Sequence, residues 1–311
     1  MVTPVMHARS SDGKSLFHLF HAFHRSISTI WNIKFMTLRN DSVVVITGAA
    51  SGIGRALAVR MAKEGVAGIA ISDINESGLS ETAAMISGVP VSMHVMDVSK
   101  LDEVKKFADD VIAGHGRVTH LVNNAGVGVL GSFEHLSIED FEWLMGINFW
   151  GVIYGCKVFL PLLKSQPQSH IVNVSSVFGF IAPEEQTAYC SSKFAVRGFT
   201  EGLRHELAGS NVSVSCVHPG GIKTEIARNS RIGADTPEEW KQQGAKFFDK
   251  VAKTSPETAA EVIVKGIKNR DPRILIGQDA HVISLLSRIF PARYLKMLER
   301  LSGHKMSLRK K

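Results

Sequence analysis

Residues 43–54 read Val43-Val44-Val45-Ile46 and then Thr47-Gly48-Ala49-Ala50-Ser51-Gly52-Ile53-Gly54. A short, wholly apolar run predicts a strand buried on both faces. The glycines predict a tight turn, and the pattern beyond them is helical through Glu64. This order of strand, glycine turn and helix constrains the chain more than any other feature. It calls for a covered parallel sheet and points a helix N-terminus at the strand's carboxyl end. Free N–H groups without side chains in the way suit a dinucleotide pyrophosphate there. No Gly-Lys-Ser/Thr follows, so the turn is not a Walker loop.

The rhythm continues along the chain. Strand patterns fall at about 66–72, 91–96, 119–122, 170–174, 212–217 and 273–276. Helical patterns fall at about 76–87, 101–115, 138–163, 187–207 and 256–269. Such alternation predicts an α/β fold, a Rossmann-type doubly wound parallel sheet flanked by helices. One domain, 37–280, is expected, with extensions at 1–36 and 281–311. The polar stretch 221–255 interrupts the rhythm and reads as a lid, with a helical patch near 238–248.

Hydrophobic residues make up 44% and charged residues 21%, which excludes disordered and coiled-coil classes. No uncharged run is long enough to predict a bilayer-spanning helix. The net charge of +7 is uneven: +3 in 1–36, −3 in 37–280 and +7 in 281–311. The mildly acidic centre argues against nucleic acid as a partner. Cys156, Cys190 and Cys216 show no CxxC spacing. No disulfide framework or metal site is therefore expected, and an intracellular, cytoplasmic location fits. Residues 1–36 suit a presequence, a flexible or membrane-touching arm, or an upstream start before Met36.

Asp73 ends the second strand, 19 residues after Gly54. A carboxylate there can accept the adenosine ribose hydroxyls and repels a 2′-phosphate. With Ser51 and Ile74 uncharged, no cation is offered to such a phosphate, and NAD is favoured over NADP. Asp97-Val98 borders the adenine or caps a helix. Tyr189 and Lys193 are four apart on a helical pattern and share a face. An ammonium lowers the pKa of a nearby phenol, which can then exchange a proton with an alcohol. Ser176, thirteen residues before Tyr189, could hold the substrate oxygen.

Together, Thr47–Gly54, Asn123-Asn124-Ala125-Gly126, Asn148, Ser175-Ser176, Tyr189-Cys190-Ser191-Ser192-Lys193 and Pro219-Gly220 resemble the short-chain dehydrogenase/reductases. The likeness spans about residues 41–277 and implies roles. Tyr189 is the general acid/base, and Lys193 binds the nicotinamide ribose and depresses the Tyr189 pKa. Ser176 orients the substrate oxygen, and Asn148 holds a water beside Lys193. Gly48, Ser51, Gly52, Ile53, Gly54, Asp73, Asp97, Val98, Asn124, Ala125 and Gly126 line the cofactor. Pro219, Gly220, Ile222 and Thr224 border the nicotinamide. The resemblance implies no metal, and a homodimer or homotetramer built on helices 138–163 and 187–207.

Val177, Phe178, Phe180, Ile181, Phe247 and Phe248 suggest apolar pocket walls and a lipophilic alcohol or carbonyl substrate. The basic, amphipathic 281–311 segment suits a docked helix, a pocket cap, a subunit contact or peripheral membrane contact. Two alternatives are an NADPH-dependent carbonyl reductase and a non-catalytic nucleotide-binding protein of the same fold.

Overall fold

The computed structural model describes residues 38–302, apart from 234, 235 and 237. The extension 1–36 and the final basic residues therefore lie outside the described residues. The strands are β1 (Val43–Thr47), β2 (Gly68–Asp73), β3 (Val91–Val95), β4 (His120–Asn123), the short β5 (Val129–Leu130), β6 (Ser169–Val174), β7 (Val212–Pro219), the short β8 (Arg231–Ile232) and β9 (Arg273–Ile276). The helices are α1 (Gly52–Ala62), α2 (Glu76–Ala84), α3 (Leu101–His115), α4 (Ile138–Met145), α5 (Gly151–Lys164), α6 (Thr187–Glu206), α7 (Glu238–Val251), α8 (Pro256–Asn269), α9 (Gln278–Ile289) and α10 (Tyr294–Ser302).

Seven strands form one parallel sheet in the order β3-β2-β1-β4-β6-β7-β9. The order reverses between β1 and β4, so a crevice opens at their carboxyl ends. Alternation along β1 divides the core. Val44 and Ile46 pack with Leu57, Ile69 and Ile263 on one face. Val45 packs with Phe107, Phe159, Ile171 and Val214 on the other. Both faces are covered, which is why the strand is apolar throughout.

The pattern at 138–163 predicts one helix, but the structure divides it. A π-turn over Gly146–Trp150 separates α4 from α5, with Gly151 N–H bonding back to the Gly146 carbonyl. A π-turn inserts one residue into the helix and frees local backbone groups, often at functional sites. Here it buries Asn148 completely. By length and mean hydropathy, Ile138–Lys164 could cross a membrane. Leu144, Val152, Phe159 and Leu163 nonetheless pack inside the domain.

The 221–255 insertion is stitched down at both ends. Ile222 bridges Thr254, and β8 pairs with β5. Arg231 lies 3.4 Å over the Trp143 ring. A separate apolar cluster joins Val177, Phe180 and Ile181 to Ala280, Ile283 and Leu298. The C-terminal segment is thus docked through α9 and α10. The Tyr294 hydroxyl accepts the Ala182 N–H at 3.1 Å.

His120 and His170 face each other across β4 and β6, fully buried. His120 meets the Thr119 hydroxyl and His170 the Ser215 hydroxyl, each at 2.8 Å. Burial pulls His120 down to about 4 and His170 to about 3, leaving both neutral at pH 7. A native state that refuses protons the unfolded chain accepts loses stability as pH falls below the unfolded value. The loss approaches roughly 1.4 kcal/mol per pH unit for each such histidine. Urea unfolding midpoints should therefore drop steadily from pH 6.5 toward 5, and His170→Gln should flatten that slope.

Candidate active site

The glycine turn sits at the carboxyl end of β1 and opens α1. Gly48 and Gly52 have φ of +66° and +53°, a region that favours glycine. A Cβ on Gly48 would lie 2.6 Å from the Ala125 Cα, and one on Gly54 would lie 2.1 Å from the Gly48 carbonyl oxygen. Side chains are therefore excluded where backbone must approach backbone. Ser51 is the extended residue before α1, and Ile53 packs partly buried against the core. The first-turn N–H groups of α1 have no partner within the helix. This bare cradle fits a dinucleotide pyrophosphate by its shape and its donors.

The cradle is locked to β4. The Asn124 side-chain amide donates to the carbonyls of Thr47 (2.9 Å) and Gly48 (3.0 Å). The Thr47 hydroxyl accepts the N–H groups of Asn124 and Ala125, both at 3.1 Å. Asp73 accepts the Ala50 and Asn75 N–H groups, each at 3.1 Å. Contrary to the sequence reading, a cation does reach this loop. The Arg55 guanidinium bonds the Ala50 carbonyl and pairs with Glu81 at 2.7 Å. Arg55 lies on α1, 18 residues before Asp73, so nothing in the residues flanking Asp73 signals its side chain folding back. Asp97 closes its own turn, accepting the Ser99 N–H at 2.9 Å. Lys100, not Asp97, is the residue before α3, so the helix-cap alternative fails. Val98 is buried against Gly151.

The far end of the crevice begins at Pro219, the last residue of β7. Gly220 donates to the Ile276 carbonyl at 2.9 Å. Gly221 donates to the Asp279 carboxylate at 2.7 Å. A Cβ on Gly220 would lie 2.1 Å from that carboxylate, so Gly220 is small because Asp279 needs the room. Thr224 approaches from the insertion, its methyl 3.1 Å from where a Gly52 Cβ would stand. Asp279 was not singled out from sequence. An acid in a helix's first turn reads as a favourable dipole partner and gives no hint of a loop held across the sheet edge.

Ser176, Tyr189 and Lys193 come together at the carboxyl end of β6 and the start of α6. The Ser176 side chain acts on the Tyr189 phenol and favours its ionised form. The Phe178 ring stands edge-on to Tyr189 with centroids 6.0 Å apart. Lys193 is buried, donates to the Val174 carbonyl at 3.1 Å, and lies 5.6 Å from the Tyr189 ring centroid. Ser175 donates to the Lys193 carbonyl at 2.8 Å and ties α6 to β6. Asn148 bonds both backbone groups of Val127, at 2.8 and 3.0 Å, and reaches Ser192 at 3.2 Å. One point beside Gly126, where a Cβ would stand, is 3.3 Å from both the Asn148 Oδ1 and the Lys193 Nζ.

The electrostatics correct one expectation. Burial pushes the Tyr189 phenol up to about 12, against the Ser176 side chain that pulls it down. The expected depression by Lys193 is not found in the protein by itself. Lys193 lies over the ring, and burial brings its own ammonium down to about 8. The expected pocket walls also differ. Val177, Phe180 and Ile181 are core residues packed on α9 and α10. Tyr189 instead packs on a separate cluster of Val129, Leu144 and Ala188, against which Leu136, Phe141 and Trp143 also pack, with Phe178 edge-on to its ring. Phe248 is half-buried in α7, and the Phe247 side chain lies outside the described residues.

Sequence reasoning also missed a buried amide chain behind the site. Asn123 donates to Asn173 at 2.8 Å, and Asn173 to Thr200 at 3.1 Å. Asparagines in otherwise apolar strands were the available signal.

A doubly wound sheet, a glycine cradle at its switch point and an adjoining Ser–Tyr–Lys cluster define a nucleotide-dependent oxidoreductase. A family model described as short chain dehydrogenase matches residues 42–235. The chain belongs to the short-chain dehydrogenase/reductase family and is an NAD(P)-dependent dehydrogenase of that family. SadH of Mycobacterium tuberculosis is 43% identical over 268 residues, spanning 85% of this chain and 96% of SadH. A short-chain dehydrogenase/reductase from Burkholderia phymatum, solved in complex with NAD, is similar at TM-score 0.74 and 30% identity. That match covers 89% of this chain and all of the other. An alcohol dehydrogenase from Thermococcus sibiricus, solved with 5-hydroxy-NADP, matches at TM-score 0.64 and 27% identity over 76% of this chain and 95% of its own.

Gly54→Ala would force the loop off the Gly48 carbonyl. Fluorescence titration should show NADH and NADPH affinity reduced by roughly a hundredfold, as expected when a loop of backbone donors is displaced from a charged ligand.

Proposed function

We propose that the protein interconverts a lipophilic secondary or long-chain alcohol and its carbonyl compound, using NAD(H). The observation that carries this reading is the convergence of Ser176, Tyr189 and Lys193 beside the glycine cradle. When bound, the nicotinamide accepts or supplies the hydride. The chain's own residues manage the proton. In carbonyl reduction Tyr189 gives its phenolic proton to the substrate oxygen, and in alcohol oxidation it takes that proton. The Ser176 Oγ accepts the Phe178 N–H at 3.1 Å, which leaves its own hydrogen to donate to the substrate oxygen. Lys193, anchored on the Val174 carbonyl and packed beside the Tyr189 ring, is placed to hold the nicotinamide ribose when the cofactor binds. Asn148 fixes the 126–127 backbone against α6. The apolar residues around Tyr189 favour a lipophilic substrate over a sugar.

Two features support NAD over NADP. Asp73 places a carboxylate at the end of β2 beside Ala50. Arg55, the cation in reach, is paired with Glu81. A homodimer or homotetramer is part of the proposal, because α5, α6 and the turn between α4 and α5 leave Trp150 47% and Phe194 41% exposed. An intracellular, reducing location accords with three buried free thiols.

The test is NADH formation over alcohols of increasing chain length, with Tyr189→Phe as the comparison. Turnover should rise with chain length. Tyr189→Phe should lose it by about 10²–10⁴-fold, the range for a general acid/base, while NADH affinity is unchanged. Since burial favours the protonated phenol, oxidation should climb as pH rises from neutral. Absence of any Tyr189-dependent turnover would favour a nucleotide-binding protein without catalysis. NAD should be used in preference to NADP by at least about tenfold, and Asp73→Ser should narrow that ratio by roughly the same factor, about one charged contact's worth. A wild-type preference for NADP would overturn the cofactor assignment and favour a carbonyl reductase.

A further inference from the structure

The docked C-terminal segment leaves one face uncovered. Burial of Ala280, Ile283 and Leu298 uses up the inner side of α9 and α10. On the outer side Val282 is 46%, Leu285 59% and Ile289 56% exposed, and Phe290 follows at the end of α9. Residues 282, 285 and 289 recur at helical spacing and lie along one stripe. Beside Phe290, the turn into α10 forms an open groove of about 340 Å³ lined by Phe290, Arg293, Lys296, Met297 and Arg300. Its walls are apolar and three of its five lining residues are cations. Among the described residues, none of these three cations has an ion pair with a carboxylate. Beyond α10 the sequence adds Lys305, Arg309, Lys310 and Lys311 and no acid.

We propose that the α9–α10 face docks on an anionic bilayer, with Leu285, Ile289 and Phe290 entering the headgroup boundary and Arg293, Lys296 and Arg300 holding lipid phosphates. An exposed apolar stripe rimmed by unpaired cations is complementary to such a surface in both hydrophobicity and charge. Water satisfies the cations but not the stripe, and a neutral protein partner would satisfy the stripe but not the cations. The face is also coupled to the active site. Asp279, in the first turn of α9, holds Gly221 at the far end of the crevice. At about 1.5 Å per residue, Phe290 lies roughly 16 Å along from Asp279. The helix that carries the docking stripe thus also carries a residue that holds the site's backbone. The inference goes beyond the alcohol reading and does not depend on it.

The experiment is co-sedimentation of the full chain with phosphatidylcholine vesicles, with and without phosphatidylglycerol. The protein should pellet with the anionic vesicles, remain largely in the supernatant with neutral ones, and be released by high salt. The triple variant R293Q/K296Q/R300Q should lower the partition coefficient on the order of a hundredfold, at about fivefold per basic residue. L285S/I289S should lower it as well. NADH affinity should be unchanged in both variants, which shows that they are folded. Failure of the wild-type chain to pellet with anionic vesicles overturns the proposal. So does pelleting of both variants like the wild type, which would put membrane contact elsewhere in the chain. A wild-type oligomer that dissociates in L285S/I289S, read by light scattering, would assign the face to a second copy of the chain and would equally overturn it.

Discussion

The lock between Thr47 and Asn124 holds the two halves of the sheet in the relation that makes a site. The Thr47 hydroxyl accepts two backbone N–H groups from the chain leaving β4, and the Asn124 amide returns two bonds to the carbonyls of Thr47 and Gly48. These bonds close the sheet at its switch point and fix the glycine turn on the neighbouring strand. Gly48 and Gly54 are the steric counterpart of the same lock, since a Cβ on either would meet backbone at well under 3 Å. The cradle is thus a backbone object, and its shape survives only if hydrogen bonds and missing side chains act together.

Behind the cradle, the chemistry depends on polar groups kept dry and paired. Asn123, Asn173 and Thr200 form one chain of buried bonds, and Asn148 ties the 127 backbone to α6 from inside a π-turn. Unpaired, each of these groups would be costly to bury. Paired, they hold β6 and α6 in register, so that Ser176, Tyr189 and Lys193 meet. The same dryness raises the phenol and lowers the ammonium. Lys193 thus sits near the pH at which it can lose its charge, and Tyr189 is a proton donor by default.

The C-terminal segment serves both the core and the site. Its inner face gives Val177, Phe180 and Ile181 their packing partners, and Asp279 holds the Gly220-Gly221 backbone. This explains why those apolar residues, adjacent to Ser176 in sequence, do not line the pocket. Neighbours in sequence diverge in space once a 3₁₀ turn at Val177–Gly179 redirects the chain toward α9. The apolar surroundings of Tyr189 come instead from β5, α4 and the loop between them.

Much was legible in the sequence because it is local. A wholly apolar run followed by Gly48, Gly52 and Gly54 dictates a buried strand, a left-handed turn and a helix start. The spacing of Tyr189 and Lys193 dictates a shared helix face. Alternating periodicities dictate the parallel sheet. The interruption at Asn148 was not legible, because residues 143–163 are apolar on nearly every face and a one-residue shift of register leaves no mark on such a pattern. The fold-back of Arg55 onto Ala50, the reach of Asp279 to Gly221 and the direction of the Tyr189 pKa were decided by tertiary structure alone. Each depends on which groups, distant in the chain, share a small dry volume, and on how far burial outweighs a charge a few ångströms away.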